Sequence, residues 1–163
     1  MGSSRAGQHD VERERLLGLI RTLLDHGANP NARTAEVPPT RRFLMDLGDL
    51  SWVDFTGQTP FLRAALSGDV IVMRLLLEKG ADPNIATFAG TAALMAAAGI
   101  NWVVAQTFTE PPATQLEVVM LCLEKGADVN AANSTGLTPV FSAANRGADY
   151  ILAFLWHMER GSM

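Results

Sequence analysis

Apolar residues recur at helical spacing in four blocks of the chain, separated by glycine-rich and polar punctuation. Leu16, Leu17, Ile20, Leu23 and Leu24 share a face between Val11 and Leu24, which predicts an amphipathic helix. Val70, Ile71, Val72, Met73 and Leu75 to Leu77 form a second, nearly all-apolar block, and a third and a fourth lie at 115–125 and 149–158. A helix that is apolar around most of its surface must be covered on several sides. The first three blocks end alike, as Leu24-Asp25-His26-Gly27, Leu77-Glu78-Lys79-Gly80 and Leu123-Glu124-Lys125-Gly126. Glycine after the last charged turn suits a left-handed position that closes a helix. Thr59-Pro60 and Thr138-Pro139 predict the start of a second kind of helix, with the hydroxyl as N-cap and proline at the first helical position. Ala64-Ala65, Ala97-Ala98 and Ala143-Ala144 then fall at matching positions, small enough for these inner helices to approach closely.

The punctuation is an internal repeat. Gly27-Ala28-Asn29-Pro30-Asn31, Gly80-Ala81-Asp82-Pro83-Asn84 and Gly126-Ala127-Asp128-Val129-Asn130 carry the same pattern, Gly57 to Gly90 is a step of 33, and Gly57-Gln58-Thr59-Pro60 returns as Gly136-Leu137-Thr138-Pro139. A period of this length with a Thr-Pro opening and a Gly-Ala-Asp ending resembles the ankyrin-repeat family, here of a bacterial type with two inserts. The resemblance covers residues 11–158 and implies an all-α solenoid of stacked helix-turn-helix units joined by short β-hairpin turns. It implies a partial first repeat at 11–32, an insert at 33–53, a repeat at 54–86, a repeat at 87–132 with an insert at 101–115, and a terminal repeat at 133–158. Residues 1–10 are expected as a flexible tail or an added terminus, and 159–163 as a second tail. Gly27 to Gly80 exceeds one period by 20 residues and Gly80 to Gly126 by 13, which sets the insert sizes. A helical pattern runs from Arg41 to Leu47 in the first insert.

Two departures from the family pattern stand out. Ala92-Ala93 replaces Thr-Pro in the third unit, so its inner helix lacks a side-chain cap, with Thr91 as the nearest substitute. The family's bracing histidine, two residues after the proline, is replaced by Leu62, Met95 and Phe141, so apolar contacts are expected where polar bracing is lost.

Composition narrows the chemistry. The chain has 163 residues, 48% hydrophobic and 18% charged, with a formal net charge of −4, which favours one folded domain and argues against a nucleic-acid partner. No apolar stretch reaches the length of a membrane span, and the opening MGSSRAGQHDVERER has no apolar core of a signal peptide. The chain as given reads as soluble, from either a cytoplasmic or a secreted protein. A single cysteine excludes an intrachain disulfide and a cysteine-rich metal site, and Cys122 aligns with Leu76 and Leu23 as a small core residue. His26 and His157 align with charged, solvent-facing positions, and His9 lies in the tail. Asp46, Asp49 and Glu110 sit in the inserts without a His, Cys or Asp cluster at ligand spacing. These observations point to no catalysis, no cofactor and no metal.

Surface recognition remains. The resemblance implies that a protein or peptide is bound by the hairpin tips and the exposed side of the inner helices. Carried onto this chain, the tip positions are Phe55, Thr56, Gln58, Phe88, Ala89, Thr91, Ser134, Thr135 and Leu137. The inner-helix positions are Leu66, Ser67, Asn145 and Arg146. Phe55 and Phe88 are aromatic at one repeat position and are the expected anchors; the competing reading packs them on each other or on an insert. Trp52 and Trp102 are expected to line or plug a groove walled by the inserts. The second reading is a self-associating segment, a homodimer formed through exposed repeat ends, and a small-molecule site built by the inserts is a minor third.

Overall fold

A computed structural model describes residues 4–36, 53–100 and 111–161, with side chains for 11–36, 53–100 and 111–159. These residues form α1 (Ser4–Asp25), α2 (Pro60–Ser67), α3 (Val70–Glu78), α4 (Ala93–Ala98), α5 (Pro112–Glu124), α6 (Pro139–Arg146) and α7 (Asp149–Gly161). Short inner helices α2, α4 and α6 pack side by side in one layer, and each is backed by its outer partner α3, α5 or α7. The fold is therefore an all-helical solenoid. No strand occurs among the described residues; the turns expected as β-hairpins are tips held by a few backbone bonds. Helix α1 begins at Ser4 instead of Val11, α5 at Pro112 instead of Gln115, and α7 continues past Met158 to Gly161.

Local chemistry accounts for the helix boundaries. The Thr59 hydroxyl accepts from the Leu62 N–H at 3.2 Å and the Thr138 hydroxyl from the Phe141 N–H at 3.2 Å, with Pro60 and Pro139 at the first helical positions. Asp69 caps α3 in the same way, accepting from Val72 N–H at 3.2 Å. Ala92 stands at the corresponding place before α4 and offers no side-chain bond. Its backbone is already extended, with φ −90° and ψ 161°, so Ala92→Thr should add a cap without rearrangement and stabilise the protein by about 1 kcal/mol. Urea unfolding of the two proteins side by side measures this gain.

The core lies between the two layers. Phe61, Leu62, Met73, Leu94, Met95, Val118, Leu121, Ile151 and Leu155 are fully enclosed there. Cys122 is buried among them, and burial pushes its thiol up to about 12. Leu24 of α1 packs on the edge of the same cluster. Lys79 is paired with Asp25, Arg13 with Asp69 at 3.3 Å and Arg74 with Glu117 at 3.0 Å. These exposed pairs tie α1 to α3 and α3 to α5, and each contributes little on its own.

The recurring Asn and Asp residues after the closing glycines link neighbouring units. Asn29, Asp82 and Asp128 each accept from the N–H two residues on, at 2.9, 2.9 and 2.8 Å, which forms the same Asx turn three times. The next asparagine then reaches the following unit: Asn31 Nδ2 donates to Gly80 O at 3.1 Å and its Oδ1 accepts from Asp82 N–H at 2.7 Å, while Asn84 Nδ2 donates to Lys125 O at 3.2 Å. These are inter-repeat braces as well as turn formers.

Candidate functional site: hairpin tips and inner-helix face

The tips repeat one set of backbone bonds. Thr87 N–H donates to Thr91 O at 2.9 Å and Asn133 N–H to Leu137 O at 3.0 Å; Gly90 N–H returns to Thr87 O and Gly136 N–H to Asn133 O, both at 2.9 Å. In the preceding tip the equivalent bonds come from Thr34, whose N–H donates to Gln58 O at 3.1 Å and whose carbonyl accepts from Gly57 N–H at 3.0 Å. A step of 33 back from Thr87 would put Asp54 in that place. The first insert therefore opens inside the tip, after Thr34, and the chain rejoins the repeat register by Thr56. Consecutive tips are then stitched together by Phe88 N–H to Thr56 O at 3.0 Å and Ser134 N–H to Ala89 O at 2.8 Å.

This displacement separates the two expected anchors. Phe55 precedes the point where register resumes, and its ring joins Val53 in the core with 6% exposure. It is a core residue, which corrects the expectation of an exposed contact. Phe88 is 65% exposed. Its ring lies on the bare face of Gly57, where φ is +83° and an added Cβ would come within 2.7 Å of the ring. Arg33 covers the ring with its guanidinium carbon 4.2 Å from the centroid, a cation–π contact. Arg33 is itself held in place, donating from Nε to Gly57 O at 3.0 Å and from Nη2 to Ala86 O at 2.6 Å. Phe88 thus packs on part of the first insert's leading edge, Arg33, and still presents most of its surface.

The other expected tip residues divide by exposure. Ser134 and Thr135 are exposed, and Thr56, Ala89 and Leu137 are half-buried. Gln58 and Thr91 are buried and cannot touch a partner, a second correction. The Gln58 side-chain carbonyl has no hydrogen-bond partner among the described residues. Thr91 is enclosed because it belongs to a brace between tips: Asn133 Nδ2 donates to Thr91 Oγ1 at 3.3 Å, and Thr91 N–H donates to Thr87 Oγ1 at 3.0 Å. Asn133 Oδ1 also accepts from Thr135 N–H, Thr135 Oγ1 and Leu137 N–H at 3.1, 2.8 and 2.9 Å. Polar bracing, expected to be lost with the histidine, is supplied here. Leu62 and Met95 are buried as apolar substitutes, whereas Phe141, on the last inner helix, is 45% exposed.

Along the inner helices the surface changes from unit to unit. On α2, Pro60, Arg63 and Ser67 form an exposed stripe, with Leu66 half-buried beside it. All of α4 is buried, and on α6 Pro139 and Ser142, aligned with Pro60 and Arg63, are buried as well. At the Pro60 and Arg63 positions the surface is therefore open on α2 and closed on α6, which exposes Phe141, Ala144 and Asn145 instead. Asn145 is exposed, and the half-buried Arg146 lays its stem on Gly99, where an added Cβ would come within 2.4 Å of Cδ. Burial draws the Arg146 guanidinium below its usual range, an effect opposed by nearby Tyr150. Tyr150 donates its hydroxyl to the Gln115 side-chain carbonyl, joining α7 to α5.

Trp52, Trp102, Asp46, Asp49, Glu110, the Arg41–Leu47 helical pattern and the groove walls lie outside the described residues. His26 and His157 are exposed, and His26 Nδ1 sits 2.7 Å from Thr22 O. Among the described residues no three His, Cys, Asp or Glu side chains gather as a metal site requires. No described helix is long and apolar enough to cross a membrane. A family model for the ankyrin repeat matches residues 56–85, from the Phe88-facing tip through α2 and α3 to the following turn. No curated protein matches the chain.

Proposed function

Starting from a chain that is an ankyrin-repeat protein, we propose that it binds a protein or peptide, without catalysis, at the tips around Phe88 and the open face of α2. Ankyrin repeats are protein-interaction modules, and the observation that carries the local reading is Phe88 itself. A large apolar ring that stays 65% exposed while fixed between Gly57 and Arg33 has little freedom left to lose on binding, the property expected of an interface anchor. Panning a displayed library of random short peptides tests this. Binders should emerge, and Phe88→Ala should weaken them by at least about tenfold with the helical circular dichroism unchanged. Met120→Ala, on the exposed side of outer helix α5, should leave them unaffected. The opposite pattern, insensitivity to Phe88→Ala with loss on Met120→Ala, would reject the site.

A second reading is favoured by one feature of α1. Val11, Leu16, Leu19 and Leu23 are all more than half exposed, an apolar surface on a helix that has no inner partner among the described residues. A second copy of the chain is the occupant in this reading, because repeat arrays bury such faces by stacking. Sedimentation equilibrium should then give a dimer that Leu16→Glu dissociates; a monomer at all concentrations rules it out.

A further inference from the structure

We infer that the partner segment is acidic: it presents a carboxylate to Arg33 beside an apolar residue that covers Phe88, with Arg63 of α2 as a second cationic contact. This rests on the tip-binding reading above and adds the chemistry of the ligand.

The argument begins with how the cations are used. Arg13, Arg74 and Lys79 are each paired with a carboxylate along the outer helices. Arg33 and Arg63 form no ion pair among the described residues, as is also true of Arg15, Arg21 and Lys125. Of these, only Arg33 lies against the exposed Phe88 ring and only Arg63 stands on the α2 stripe. Arg33 is nevertheless immobilised, since Nε and Nη2 are committed to the Gly57 and Ala86 carbonyls and the guanidinium plane is set against Phe88. A guanidinium carries five N–H donors, so Nη1 and the second Nη2 hydrogen remain for a ligand. Their fork geometry matches a carboxylate, which accepts two parallel bonds.

Asp54, on the same tip, forms no ion pair with Arg33. Asp54 accepts from the Thr56 N–H at 2.8 Å, and hydrogen bonding to Thr56 holds its carboxyl below the usual range. Arg63 stands on the exposed α2 stripe with Pro60 and Ser67. Two cations without carboxylate partners and an exposed aromatic ring thus occupy an accessible part of the face. Net charge alone, at −4, would favour a basic partner, so the local geometry and the global charge make opposite predictions.

The same peptide library separates them. Enriched sequences should carry Asp or Glu next to an apolar residue. A synthetic peptide of the most enriched sequence should lose at least tenfold in affinity when its acid is changed to the amide, a swap that leaves the protein untouched. Arg33→Gln and Arg63→Gln should each weaken it, and Arg33→Lys should recover only part of the loss because an ammonium lacks the fork. Thermal melting of each variant checks that the fold persists. Enriched peptides that are neutral or basic, yet still depend on Phe88, would overturn the acidic partner while leaving the tip-binding site standing. No enrichment, or binders indifferent to Phe88→Ala, would overturn both.

Discussion

Leu94→Ala is expected to destabilise the protein by about 2–5 kcal/mol, the range for truncating an enclosed leucine. Leu94 has no exposed surface, and it sits on α4, which touches α2 on one side, α6 on the other and α5 behind. The cavity would open where both neighbouring units lean on the same short helix. In a stacked array stability is a sum of unit and nearest-neighbour terms, so the loss should also uncouple α2–α3 from α6–α7. Thermal unfolding should fall by roughly 10 °C and broaden. A loss under about 1 kcal/mol, below the range for an enclosed leucine, with an unchanged transition width would show that α4 does not carry the stack.

Asn133→Ala should cost roughly 2–4 kcal/mol, because it leaves several polar groups at the last two tips without their partner. The lost acceptor serves Thr135 N–H, Thr135 Oγ1 and Leu137 N–H, and the lost donor serves buried Thr91 Oγ1. Thr91→Val removes only the last of these and should cost about 1 kcal/mol. Urea denaturation of both single variants and the double variant measures the coupling. If the two losses simply add, the Asn133–Thr91 bond makes no contribution of its own.

How much of this was legible in the sequence follows from the range of each interaction. Thr59-Pro60, Thr138-Pro139 and the three Gly-closed helices were readable because capping is settled within four residues. Cys122 and the leucines of the outer blocks were readable because repeat alignment places them at one depth. The start of α5 has a local signal in Pro111-Pro112, since proline suits the first helical position better than Gln115 does. The opening point of the first insert was beyond reach, since subtracting intervals yields the number of extra residues and not where they leave the register. That one ambiguity explains the error at Phe55, which shares a repeat number with Phe88 but not a place in the tip. The Asn133–Thr91 brace joins residues 42 apart, and nothing local distinguishes Asn133 from a turn former. The Arg33–Phe88 pair was missed for the same reason, being formed only when the insert's leading edge folds back on the next tip.

The central claim is that binding takes place on the tip and α2 face. Hydrogen–deuterium exchange with and without the most enriched library peptide measures it most directly. Added protection is predicted at residues 56–63 and 87–91, with the amides of α3 and α5 unchanged. Protection that appears instead along α1 or the outer helices, with the tips unaffected, would contradict the account.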